Sequence, residues 1–189
     1  MPEIKKKPTQ DPNGGWTFAL LTLAAALLFG YVVLPRFSRS LGPESALVGM
    51  VAPDFSLPVL HGGDTDNRVL LSALRGKVVL LDFWASWCRP CSEQSRILSR
   101  LAPEYQNKDV VFVGVNTADD AARATAFAET HGLPYTTVLD DGNTAQAYGA
   151  SSLPTIVVID PSGKVSSAAS RVMGASEVEA AIAAAVPKG

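Results

Sequence analysis

The chain contains two cysteines, Cys88 and Cys91, three positions apart in the run Trp87-Cys88-Arg89-Pro90-Cys91. Two sulfurs at that spacing close a disulfide with little backbone movement when the first lies in a loop and the second in the first turn of a helix. Unpaired N–H groups and the macrodipole at a helix start favour negative charge, which stabilises the Cys88 thiolate, and Arg89 adds a positive charge beside it. Thiolate is the attacking species in disulfide exchange. Other uses of the pair fit less well. Haem attachment requires His directly after Cys91, where the chain has Ser92. A zinc site lacks its second cysteine pair, and His61 and His131 both read as ordinary loop or helix-end residues. A static staple across so short a loop removes little unfolded-chain entropy. A Cu(I) site on two thiolates stays open as the rival to dithiol/disulfide chemistry, which is the expectation.

The surrounding elements must place this pair where a strand hands over to a helix. Residues 77–84 (KVVLLDFW) are apolar except for Asp82 and its leading Lys77, the pattern of a strand buried on both faces. Residues 92–106 place Ile97, Leu98, Leu101, Ala102 and Tyr105 at helical spacing, so an amphipathic helix starts around the second cysteine. Residues 110–115 form a second buried strand, and residues 119–131 an Ala-rich helix ended by Gly132 and Pro134. A short strand at 136–139, a short helix at 143–148 and a strand at 155–160 follow. The turn Pro161-Ser162-Gly163-Lys164 leads to an antiparallel partner at 165–172, and a last helix runs from Ser176, with Glu179 at capping-box spacing, to about Val186. Residues 53–58 and 69–71 suggest an added β-hairpin leading into the first central strand. The order of elements predicts an α/β domain with a sheet covered on both faces by helices.

The 189 residues carry 18 acidic against 16 basic side chains, net −2, so the broad basic surface that a nucleic-acid backbone demands is missing and nucleic acid is excluded as a partner. Mean hydropathy is nevertheless +0.17, because residues 16–34 contain neither charge nor proline. As a helix this stretch spans roughly 28 Å, enough to cross a bilayer. It exceeds the apolar region of about 7 to 15 residues in a cleaved leader, and Pro35-Arg36 follows it in place of a small-residue cleavage site. The expectation is a cytoplasmic tail at 1–15, an uncleaved transmembrane anchor at 16–34, a tether at 35–51 and a folded domain at 52–189. Lys5, Lys6 and Lys7 before the anchor, against Arg36 and Arg39 after it, give a narrow bias for the N-terminus inside.

Residues Asp82-Phe83-Trp84-Ala85-Ser86-Trp87-Cys88-Arg89-Pro90-Cys91 resemble the active-site segment of the thioredoxin superfamily, and Leu153-Pro154-Thr155 resembles its cis-proline loop. Ala52-Pro53-Asp54-Phe55-Ser56-Leu57 and Arg75-Gly76-Lys77-Val78-Val79-Leu80 resemble the membrane-tethered branch that includes DsbE/CcmG, ResA and TlpA proteins. The resemblance covers about residues 50–187. It implies an α/β, thioredoxin-like three-layer sandwich, a central mixed sheet with helices on both faces and an N-terminal β-hairpin extension. It also implies an extracytoplasmic domain on the periplasmic side of a bacterial inner membrane, acting as a reductant, most often of apocytochrome c before haem attachment.

By position, the resemblance makes Cys88 the attacking and Cys91 the resolving sulfur. Asp82 becomes a buried acid whose pKa burial should raise, so that it can exchange the Cys91 proton. Trp87, Leu153 and Pro154 would contact substrate, while Arg89 and Pro90 would tune the potential. The redox-active disulfide Cys88–Cys91 would be the only redox group, with no metal or other cofactor. Electrons would come from a transmembrane dithiol carrier, since the extracytoplasmic space supplies little reductant. The alternatives are a general envelope disulfide reductase or isomerase, and a copper chaperone or thiol reductase for oxidase copper-site assembly. Two departures leave the client open. Many tethered reductants carry an acid three positions after the second cysteine, where this chain has Gln94, preceded by Glu93; and Pro154-Thr155 stands where cytochrome-maturation members often have Pro-Glu.

Overall fold

A computed structural model of the chain describes residues 20–29, 46–63 and 67–187. The described residues fall into two separate units, 20–29 in one and those from 46 onward in the other. In the first, residues 20–29 form helix α1, inside the expected anchor, with Leu20, Leu21, Leu23, Leu27, Leu28 and Phe29 exposed. Among the described residues no helix is long and apolar enough to cross a membrane. The expected tail at 1–15, the remaining parts of the expected span at 16–19 and 30–34, and positions 35–45 of the expected tether lie outside the described residues.

The second unit is an α/β domain. Its strands are β1 (Ser56–His61), β2 (Arg68–Leu70), β3 (Val78–Trp84), β4 (Val110–Asn116), β5 (Thr136–Leu139), β6 (Thr155–Ile159) and β7 (Val165–Ala169). Its helices are α2 (Arg89–Tyr105), α3 (Ala121–Thr130), α4 (Asn143–Ala147) and α5 (Ala175–Ala185). Among the described residues the strands form one mixed sheet of order β2-β1-β5-β4-β3-β6-β7. Strands β3, β4 and β5 are parallel, while β1 on β5, β6 on β3, and β7 on β6 are antiparallel.

Strand β3 is buried along its whole length, which explains why its sequence is an unbroken apolar run rather than an alternation. Val78, Leu80 and Trp84 face a core built with Leu98, Leu101 and Ala102 of α2, with α3 and with α5. Val79, Leu81 and Phe83 face the opposite core, which holds Phe55, Leu57, Leu71, Ala145 of α4 and Tyr148 just after it. Each large side chain withdrawn from water on these faces contributes roughly 1.5–3 kcal/mol, so β3 is the fixed rail from which the cysteine loop departs.

The β1–β2 hairpin is present as expected; it docks on β5, a long-range pairing that no local signal in residues 53–71 encodes. The structure redraws the starts of two helices. Helix α2 begins at Arg89, ahead of Cys91. Helix α5 begins at Ala175 instead of Ser176, because Glu177, not Glu179, accepts the Gly174 N–H (2.9 Å) while Arg171 holds its carboxylate at 2.8 Å. The end of α3 is as expected. Gly132 (φ +55°) follows His131 and closes the helix through Gly132 N–H to Glu129 O and Leu133 N–H to Ala128 O, both 3.1 Å, the paired bonds of a Schellman end.

Candidate active site

Residues 85–88 carry the chain from the end of β3 to the start of α2. Cys88 is the N-cap residue, in extended conformation, and Pro90 sits in the first turn, where its missing N–H costs nothing. The Cys91 N–H, shared between Cys88 O at 3.1 Å and Cys88 Sγ at 3.3 Å, puts a helix-start donor beside the sulfur that would carry charge after reduction. The two sulfurs are bonded, 2.02 Å apart. Cys91 is fully buried, whereas Cys88 is 5% exposed and forms part of the wall of an open groove of about 780 Å³. Trp87, Ala118, Ala145, Ala150 and Leu153 give that groove a mainly apolar lining. The groove is therefore the approach to Cys88. Arg89 and Pro90 line its mouth and are exposed.

Asp82 is the single acid in β3, 1% exposed. Strand alternation puts it on the same face as Leu80 and Trp84, the face that α2 and Cys91 cover. Its Oδ2 accepts a hydrogen bond from the Tyr135 hydroxyl at 3.4 Å, and Oδ1 has no protein partner. Burial pushes its pKa up to about 7, against a smaller downward pull from Tyr135. The Tyr135 hydroxyl is itself pushed well above its ordinary value by burial and by the neighbouring Asp82. Gly114 makes this pair possible. It lies opposite Asp82 on β4, and a Cβ there would sit 2.7 Å from Thr137 Cγ2, 3.0 Å from Trp84 Nε1 and 3.3 Å from Tyr135 Cε2.

A second polar knot lies at the C-terminal ends of β3 and β4. The buried carboxylate of Asp119 accepts from the Ser86 N–H, from the Ser86 hydroxyl (2.9 Å), from Asn116 Nδ2 (3.0 Å) and from the Asp120 N–H (2.8 Å). Burial alone would raise its pKa, but these donors from Asn116, Ser86 and Asp120 outweigh burial and hold it below the ordinary carboxylate value. Just before it, Ala118 adopts φ +52°, a left-handed conformation that costs a residue with a Cβ on the order of 1–2 kcal/mol. Its carbonyl accepts the Trp87 Nε1–H at 2.9 Å, while the indole stays 62% exposed. Sequence reasoning placed Asp119 at the start of a helix. The residue that caps α3 is instead Asp120, which accepts from the Ala122 and Arg123 N–H groups. Adjacent Asp residues at a strand-to-helix junction were the available signal that one of them serves something other than the cap.

The other positions singled out in the sequence are also placed. The Leu153–Pro154 bond is cis; Leu153 lines the groove, and Pro154 is buried behind it. Thr155 points inward, donating to Ser152 O and meeting Ser170 Oγ, both at 2.7 Å. Gln94 is fully buried and clamps Met173, accepting from its N–H at 2.7 Å and donating to its carbonyl at 3.4 Å, while Glu93 is exposed. His61 lies 3.1 Å from Leu133 O, and His131 stacks on Phe127 with ring centroids 3.9 Å apart.

Residues 48–168 match the AhpC/TSA family. The chain is 38% identical over 150 residues to the thiol-disulfide oxidoreductase ResA of Geobacillus thermodenitrificans, covering 79% of this chain and 82% of the relative. It is 36% identical over 148 residues to the thiol:disulfide interchange protein DsbE of Xylella fastidiosa, covering 77% and 71% of the two chains. A Chlorobium tepidum crystal structure assigned as DsbE superposes with a TM-score of 0.65 at 34% identity, covering 71% of this chain and 94% of that one.

Proposed function

The chain belongs to the AhpC/TSA family and is a thiol:disulfide oxidoreductase of thioredoxin-like fold, and from that premise we propose that it is a membrane-tethered reductant of the cysteine pair in apocytochrome c. Residues 16–34 anchor it, and the domain after residue 51 works on the extracytoplasmic side. The observation that carries the reading is Cys88 itself: a sulfur at a helix start, with an N–H aimed at it, lining an apolar groove that a protein segment can enter.

In the forward reaction the Cys88 thiolate attacks one sulfur of the substrate disulfide. The substrate S–S bond breaks, a mixed disulfide forms and the first substrate thiolate leaves. Cys91 then gives its proton to the Asp82 carboxylate and attacks Cys88 Sγ. The second substrate thiolate leaves, and two electrons have passed from the enzyme dithiol to the substrate. The product on the enzyme side is the Cys88–Cys91 disulfide seen here, which a transmembrane dithiol carrier reduces again. Trp87 and Leu153 form the walls against which the substrate segment lies, Pro154 backs Leu153, and Arg89 and Pro90 set the potential through the electrostatics of the helix start.

Replacing Cys91 by Ser in the full chain leaves the mixed disulfide unresolved in cells. Apocytochrome c is expected among the species captured on Cys88; capture dominated by copper-site proteins, or by envelope proteins at large, overturns the proposed client. Protease digestion of spheroplasts tests the topology, with the domain expected to be cut from outside.

A further inference from the structure

The geometry points to Asp119 as a positioning residue that fixes the Trp87 indole as one wall of the substrate groove, acting through Ser86 and Ala118. It rests on the reading that protein substrates lie in the groove beside Cys88.

Two loops meet at this point. One is the β3–α2 turn, in which Ser86 directly precedes Trp87; the other is the β4–α3 turn, which contains Ala118 and Asp119. Asp119 joins them, since both donors of Ser86 end on its two oxygens. Its side chain is fully shielded from solvent, while its ion-pair partner Arg123, 3.9 Å away, stays exposed. Asn116, buried at the end of β4, steadies the same carboxylate. Held there, the β4–α3 turn presents the Ala118 carbonyl in a left-handed conformation at the spot where the Trp87 Nε1–H reaches it.

The consequence follows from Trp87 being mostly exposed. A large aromatic side chain with so little packing around it has rotamer freedom to lose, and one hydrogen bond holds its polar end. Without the Asp119 joint, the roots of the two turns stay tied by Thr117 N–H to Trp84 O at 3.0 Å, but Ser86 and Ala118, which flank the two ends of the indole bond, lose their common anchor and the indole no longer defines the groove wall. Asp119 touches neither cysteine, so its effect falls on how an extended substrate binds, more than on the exchange between sulfurs.

The test uses the reduced full chain and two probes. One is an extended peptide closed by a Cys-x-x-Cys disulfide and flanked by apolar residues, which fills the groove; the other is hydroxyethyl disulfide, which reaches the sulfur alone. Asp119→Ala is expected to lower the ratio of kcat/KM for the peptide to the rate constant for the small disulfide by about tenfold, with the loss in the peptide KM. Asp119→Asn keeps the bulk and one acceptor oxygen, and gives a smaller drop in the same ratio even if the alanine variant does not fold. In a Trp87→Ala background, Asp119→Ala produces no further drop. Equal losses toward both probes, an unchanged ratio in both Asp119 variants, or additive losses in the double variant overturn the inference. If Trp87→Ala itself leaves the ratio untouched, the groove reading beneath it fails as well; if only the Asp119 variants are silent, that reading stands and the role of Asp119 alone falls.

Discussion

The Tyr135 hydroxyl lies 3.4 Å from Asp82 Oδ2, reached across the intervening strand β4 at the one position, Gly114, where no side chain stands in the way. This makes the buried acid of β3 half of a pair. One oxygen is occupied and the other, Oδ1, is left without a protein partner on the face that α2 covers. A buried carboxyl with a single weak donor is held near neutrality, where it can both accept and return a proton.

Asp82 therefore leaves a signature in stability. Its pKa is about 7 in the folded protein against 3.8 for the free side chain, so between those values the native state binds more protons than the unfolded chain. Stability is expected to fall as pH rises from about 4 to about 7, by a total on the order of 4 kcal/mol, and to level off above. Asp82→Asn removes this slope and slows resolution of the mixed disulfide. Urea midpoints of the oxidised protein across pH 4–8 and stopped-flow resolution rates check the two halves; a slope surviving the substitution assigns it to another group.

Tyr135→Phe removes the donor and keeps the ring. Since that donor pulls the Asp82 pKa down, its loss raises the midpoint of both the stability slope and the resolution rate, by roughly 0.5–1 pH unit for so long a bond. The same pH titrations read it, and a midpoint that moves down contradicts the assignment.

Gly114→Ala puts a methyl group 2.7 Å from Thr137 Cγ2 and 3.0 Å from Trp84 Nε1. Neither neighbour is a flexible chain end, so the overpacked site is expected to lose about 1–3 kcal/mol in denaturant unfolding. The methyl group also crowds the Tyr135 ring, so the pH midpoint should move in the direction seen for Tyr135→Phe.

Gln94→Glu places an acid where many tethered reductants have one. Here the amide is committed to Met173, and the substitution keeps the acceptor while losing the donor to the Met173 carbonyl. A buried carboxylate facing that carbonyl costs roughly 1–3 kcal/mol. Its folded-state pKa is raised, so the penalty shrinks as pH falls and the carboxyl regains an O–H. Melting temperatures at pH 5 and pH 8 should differ more for this variant than for the parent chain.

Local order was legible in the sequence wherever burial is continuous. Residues 77–84 and 155–160 read as strands, within a residue of those observed, because both faces are covered, and the cysteine pair announced itself by its spacing and its place after β3. Pairing across the sheet was not. Residues 56–61 carry no mark of their partnership with β5, in which Val59 meets Val138 and His61 meets Thr137 across a long stretch of chain. The same limit hid the site's supporting shell. Tyr135 and Asp119 act on Asp82 and Ser86 from 53 and 33 positions off, and their types alone suggest a core tyrosine and a helix start. Gly114 carries no signal of its own in VVFVGV; the side chains that need its space come from the strands on either side.

The short stretch leading into the domain straps the start of β7 and the turn before it: Gly49 N–H bonds Val165 O, Val165 N–H bonds Met50 O, and Ala52 N–H bonds Gly163 O. A foreign polypeptide trying to lengthen the sheet there would first have to strip away those three bonds. The opposite border ends in the three-residue β2, whose Arg68 ties back to Ser56. The two borders of the sheet thus differ in kind, one begun by a strap of backbone hydrogen bonds and the other kept to three residues, too short to offer a partner chain a long edge.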